Sequence, residues 1–181
     1  MKKVQLAQTG YIVISVAFYA AAVLFLFSDR LLPSIPSIFC GVCLLAYGTI
    51  KIVGYFSEDL YCLAFRYDLA FGLLLLVIGT VVLVLHTRAA AWLAPCIGWL
   101  ALLDGVFKVQ MSQEAKKFGL KQWGLIAATA VAAGALAVFV IAYCATAPEA
   151  PRVLTALTLL SVGVMNHCVA VFAVKGPTHL K

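Results

Sequence analysis

The sequence predicts an all-α integral membrane protein, with six transmembrane helices arranged as three parallel two-helix repeats. Three observations carry this. The 181 residues are 65% hydrophobic and only 11% charged. A soluble globular domain has about 25% charged residues, so the polar groups here cannot cover the apolar surface in water, and the mean hydropathy of +1.08 agrees. Six apolar runs approach the roughly 20 residues needed to cross a hydrocarbon core about 30 Å thick. Glycines recur between runs at a constant offset.

The spans are placed at 10–28, 34–56, 67–86, 91–110, 123–144 and 152–174 of a single membrane domain, 1–181. They are too long and too uniformly apolar for barrel strands. The first lies in MKKVQLAQTGYIVISVAFYAAAVLFLF and imitates a secretory signal. Its small residues Ala20 to Ala22 sit inside the apolar run instead of after it, so an uncleaved helix is expected. Pro33 and Pro36 precede span two, and Pro148 and Pro151 precede span six. Pro95 falls in the first turn of span four, where a missing N–H matters least. The stretch VQMSQEAKKFGLKQW is expected to extend helix four by a turn or two, with Gly119 ending it in a left-handed conformation.

Of the 13 Lys and Arg, all but Arg30, Arg88 and Arg152 fall on the side of the N-terminus. Cytoplasmic loops carry such an excess, which puts both termini in the cytoplasm of a plasma membrane. Trp92, Trp123, Tyr11 and Tyr143 lie near span ends, as an interfacial belt requires. The charges are spread through the gaps, with no basic tract of interleaved aromatics, so nucleic acid is excluded as a partner. The lipid bilayer is the expected partner, with self-association or other membrane proteins as further candidates.

Span two, GVCLLAYGTIKI, aligns with span four, GWLALLDGVFKV. Gly41 matches Gly98, Gly48 matches Gly105 and Lys51 matches Lys108, each 57 residues on. Span three repeats the spacing at Gly72 and Gly79. Seven residues are about two turns, so each glycine pair shares one face, where small residues let helices approach closely in lipid. Gly134 and Gly163 mark a decayed third copy in which Ala170 falls near the lysine's place. The repeat units are then about 10–60, 61–119 and 120–175. An even number of spans per unit makes them parallel.

The segments LAYGTIKIVGYF, LAFGLLLLVIGTVVLVL and LLDGVFKVQMSQEAKKFGLKQW resemble the HdeD-like membrane proteins, a family of short two-helix repeats of unknown biochemical activity. The resemblance runs from about Phe39 to Ile141, and rests on G-x-x-K at the end of an even-numbered helix. It implies a role in acid or envelope stress tolerance.

Asp104 is the costly residue. A charge at the bilayer centre costs about 2.5–3.5 kcal/mol on insertion scales, and Asp104 lies about 6 Å from the midplane at 1.5 Å per residue. Lys108 is a turn further out and is expected to snorkel to the headgroups. Three readings of Asp104 stand open. It pairs with Lys108 at i,i+4. It joins a polar hub with Tyr47, its repeat equivalent, and with Asn166 and His167 at a similar depth. Or it is a proton site, the centre of a small transporter or proton-conducting protein; burial and the neighbouring lysine act on its titration in opposite senses.

Enzyme patterns are missing: G-x-S-x-G, H-E-x-x-H and the P-loop do not occur. Cys40 and Cys43 form a single C-x-x-C without the second pair a zinc site needs, and read as small packing residues. No enzymatic activity, cofactor or metal is expected.

Overall fold

A computed structural model of the protein describes residues 2–28, 32, 34–56, 68–89, 91–144 and 150–173. Pro33, Pro148, Cys62, Arg30, Arg66, Lys175 and Lys181 lie outside these. The described residues are helical, with no strands: α1 (Lys2–Leu26), α2 (Ser34–Tyr55), α3 (Asp68–Val84), α4 (His86–Ala89), α5 (Leu93–Lys117), α6 (Trp123–Tyr143) and α7 (Ala150–Phe172). Five of these, all but α3 and α4, are long and apolar enough to cross a membrane. The predicted span 67–86 is the exception. Its helix α3 has 17 residues, and the chain turns at Leu85 into the four-residue α4.

Pro36 sits in the first turn of α2 and Pro95 in the first turn of α5, where neither breaks a hydrogen bond. Helix α5 continues about two turns past the predicted span. Gly119 ends it at φ 76°, as its sequence position predicts. Leu120 N–H donates to Ala115 O at 3.1 Å and Gly119 N–H to Lys116 O at 3.0 Å. This is the paired closure of a Schellman motif, and Leu120 packs on Ala115 beneath it.

Close approach between helices is set by glycine. A Cβ added at Gly48 would stand 2.7 Å from the carbonyl oxygen of Gly72, and one at Gly72 2.9 Å from that of Gly48. The same kind of contact joins Gly105 to the carbonyl of Ala130 at 3.1 Å and Gly163 to that of Ser15 at 3.2 Å. The tightest interfaces are thus α2 on α3, α5 on α6, and α7 on α1. The third of these brings α7, the last described helix, onto the first.

The exterior is apolar. Val16, Val77 and Val131 are each more than half exposed on helix faces that water would not tolerate, so the solvent for these faces is lipid. The interior holds the charges: Lys51, Asp68, Asp104 and Lys108 are all buried. The protein is a multi-pass membrane protein with an ionic cluster inside its helical bundle.

Candidate functional site

Seven side chains from five helices form the cluster. Tyr11 comes from α1, Tyr47 and Lys51 from α2, Asp68 from the first turn of α3, Asp104 and Lys108 from α5, and Asn166 from α7. The pairs 47/51 and 104/108 are i,i+4 and so share one helix face. Asp68 stands at a helix N-terminus, where the backbone dipole favours a negative charge. Helix α6 turns Ile126, Ala130 and Ala133 to the same interior.

The charges form an alternating chain. Lys51 Nζ is 2.6 Å from Asp68 Oδ1 and 3.3 Å from Asp104 Oδ1. Lys108 Nζ is 2.7 Å from Asp104 Oδ2. Two lysines thus face two aspartates. Tyr11 donates its hydroxyl proton to Asp68 Oδ2, and Lys51 approaches the same hydroxyl at 3.4 Å. The Lys51 ammonium also lies 4.9 Å from the ring centre of Tyr47 and 5.1 Å from that of Phe71, so aromatic faces stand where water would otherwise hydrate it.

Tyr47 is the meeting point of the second half. Its hydroxyl is 2.8 Å from Asp104 Oδ2, accepts from Lys108 Nζ at 3.0 Å, and lies 2.9 Å from Asn166 Oδ1. A phenol has one proton. Donated to the carboxylate, the stronger acceptor, it leaves Asn166 to meet the hydroxyl as a donor. Turning the amide over brings Nδ2, which otherwise has no partner, to the hydroxyl in place of Oδ1. Tyr47 is then fully satisfied: one bond given, two received.

The structure brings Tyr47, Asp104, Lys108 and Asn166 into one hydrogen-bonded group. His167 is a correction: the next residue along α7 points outward and is exposed, so it faces away from Asp104. Lys108 is a second correction. Instead of snorkelling, it is 4% exposed and turned inward to Asp104 and Tyr47. Gly41, Gly48, Gly72, Gly79, Gly98 and Gly105 all lie at helix contacts.

Sequence reasoning missed Tyr11, Lys51 and Asp68 as cluster members. A signal existed: Tyr11 and Asp68 are 57 residues apart, as are Tyr47 and Asp104. Among the described residues no three His, Cys, Asp or Glu side chains stand together to hold a metal. Cys40 and Cys43 are buried free thiols on α2.

A multi-pass bundle with this internal spacing is a repeat-containing membrane protein. A family model described as a short repeat of unknown function (DUF308) matches the chain twice, over residues 13–84 and 70–142. The protein belongs to that family. The two matches begin 57 residues apart and end 58 apart, the spacing of the paired residues in the cluster. No curated protein and no solved structure matches the chain.

Proposed function

We propose that the protein is an HdeD-like protein of the plasma membrane, with six membrane-crossing helices in three repeats and both termini cytoplasmic. Its buried charges clamp the helices together, and it supports acid or envelope stress tolerance without enzymatic chemistry. The observation that carries the clamp is the mutual satisfaction of the charges: each lysine lies on an aspartate, at 2.6 and 2.7 Å. The cavity that Asp104 borders is about 30 Å³ and is walled mainly by residues such as Phe18, Leu44, Leu75 and Leu159. A transporter site calls for a polar chamber at that depth.

Six spans are supported by α3 itself. Its 17 residues rise about 26 Å at 1.5 Å each, close to the hydrocarbon thickness. Three repeats are supported by the glycine contacts. Gly48, Gly105 and Gly163 are 57 and 58 residues apart, and so are the residues they meet, Ser15, Gly72 and Ala130, taken in chain order. On this spacing Asn166 stands at the place of Lys51 and Lys108, and Val162 at that of Tyr47 and Asp104. Asn166, not Ala170, then takes the lysine's place in the third copy. The orientation rests on the basic residues. With Lys51 and Lys108 buried in the bundle, the excess on the N-terminal side still stands. The stress role rests on the resemblance to the HdeD-like family.

Proton flux into proteoliposomes after an acid jump tests the clamp against its rival. The clamp requires flux no greater than that of empty liposomes. The rival, a proton-conducting protein centred on Asp104, draws on Asp104 Oδ1, a buried oxygen that accepts no hydrogen bond from the protein. Flux in the wild type that is lost in folded Asp104→Asn would establish the rival. Acid survival of cells with and without the gene tests the stress role separately.

A further inference from the structure

The three tight helix contacts are built alike except at one residue. Gly48 meets the carbonyl of Gly72, Gly105 that of Ala130 and Gly163 that of Ser15. Four residues beyond each carbonyl, one turn along the same face, stand Leu76, Gly134 and Tyr19 in turn. A Cβ added at Gly48 would meet the Leu76 side chain at 3.1 Å, and one at Gly163 the Tyr19 ring at 2.5 Å. One added at Gly105 finds only the backbone of Gly134 there, at 3.6 Å. The side chain that closes the groove between α2 and α3, and between α7 and α1, is missing between α5 and α6. An open groove of about 270 Å³ is left. Its floor is Gly105, Ala130 and Gly134, and Val106 and Val131 on its sides are 48% and 59% exposed, so it opens to lipid. Along α5 it runs eight residues from Leu102 to Gln110, or about 12 Å at 1.5 Å each. Gln110 is exposed and stands at the end of the fourth span, where the first repeat has Val53.

We propose that this groove holds one acyl chain of a membrane phospholipid, with the Gln110 amide donating to the glycerol-ester carbonyl of the same molecule. The chain supplies the apolar volume that Leu76 and Tyr19 supply at the other two interfaces. A vacant groove would forfeit the van der Waals contacts that hold helices together in lipid. The amide at the edge of the hydrocarbon needs an acceptor, because an unpaired polar group there is costly. A second copy of the protein fits less well. The two helices touch at the floor of the groove, so a helix about 10 Å across cannot enter it. The carbonyls of such a helix are also bonded within it, whereas a lipid brings a slim chain and a free acceptor together.

The inference concerns the outer face of α5 and α6 and holds whichever reading of the ionic cluster stands. Native mass spectrometry tests it on the full protein, released in mild detergent from vesicles of dioleoylphosphatidylcholine. The expected result is one retained phospholipid per protein, with retention falling several-fold in Gly134→Leu, which restores the side chain of the other two interfaces. Gly134→Ala, whose methyl meets only Leu102 at 3.8 Å, carries the comparison if the larger side chain prevents folding. Gln110→Leu should lower retention too, and the wild type should show the same loss with the diether analogue, which has no ester carbonyl. Bare protein, or equal retention in the wild type and the folded Gly134 variants, overturns the groove as a lipid site. A dimer that Gly134→Leu dissociates overturns it in favour of a second copy. A diether lipid kept as well as the diester overturns the Gln110 contact.

Discussion

Lys51 and Lys108, at matching places on α2 and α5, converge on a single carboxylate, with Nζ atoms 3.3 Å and 2.7 Å from the two oxygens of Asp104. Asp104 therefore links α2 to α5, while Lys51 carries the link on to Asp68 and α3. Removing any one charge leaves another unbalanced in a medium that does not solvate it.

Asp104→Leu should destabilise the protein by about 3–5 kcal/mol, because it strands Lys108 without a carboxylate. Adding Lys108→Met should recover part of the loss, since the remaining Lys51 and Asp68 balance each other. Unfolding of both variants in bilayers or mild detergent measures this. Losses that simply add would show that the two residues do not act as a pair.

Neighbouring residues on α7 should behave in opposite ways. Asn166→Ala removes one of the three partners of the Tyr47 hydroxyl and should cost about 1–3 kcal/mol. His167→Ala, on the exposed face, should stay within about 0.5 kcal/mol. Equal effects in a thermal unfolding assay would mean that α7 is rotated from the position described.

At the glycine interfaces, Gly48→Ala should cost about 1–3 kcal/mol by forcing α2 from α3, since the new methyl meets the backbone of Gly72. Gly134→Ala meets only the Leu102 side chain, at 3.8 Å, and should be neutral or slightly stabilising. A reversed order in unfolding measurements would remove the close α2–α3 contact.

Gly119→Ala places a Cβ at φ 76° and should cost about 1 kcal/mol, even though open space surrounds it. Gly124→Ala, at another glycine with open space around it and no positive φ, is the control. Indistinguishable stabilities for the two would mean that the left-handed turn is not held.

The helices were legible because hydrophobic runs in a membrane protein are bounded by charge, proline and glycine. Those marks placed α5 and the Gly119 turn closely. The Asp104–Lys108 pair was legible from its i,i+4 spacing. Lys51 and Asp68 were not. A lysine near a span end reads as a headgroup anchor when lipid is its assumed neighbour, and an aspartate at a span boundary reads as solvated. Both assumptions fail here because these ends of α2 and α3 turn inward. Which way a residue near a helix end faces is decided by rotation about the helix axis, and the apolar runs, hydrophobic on every side, do not encode it. His167 was misplaced for the same reason: one residue along a helix is about 100° of rotation, enough to carry a side chain from the interior to lipid.

The Tyr47–Asn166 bond joins positions 119 residues apart, and Gln8 donates to Ala170 across 162. The ribosome delivers Lys51, Asp68, Asp104 and Lys108 to the membrane well before Asn166. The polar core is therefore left waiting, partly unsatisfied, until α7 inserts. Assembly of this protein is a ring that closes only when α7 meets α1 and α2, and helices released before then would carry their charges into lipid alone.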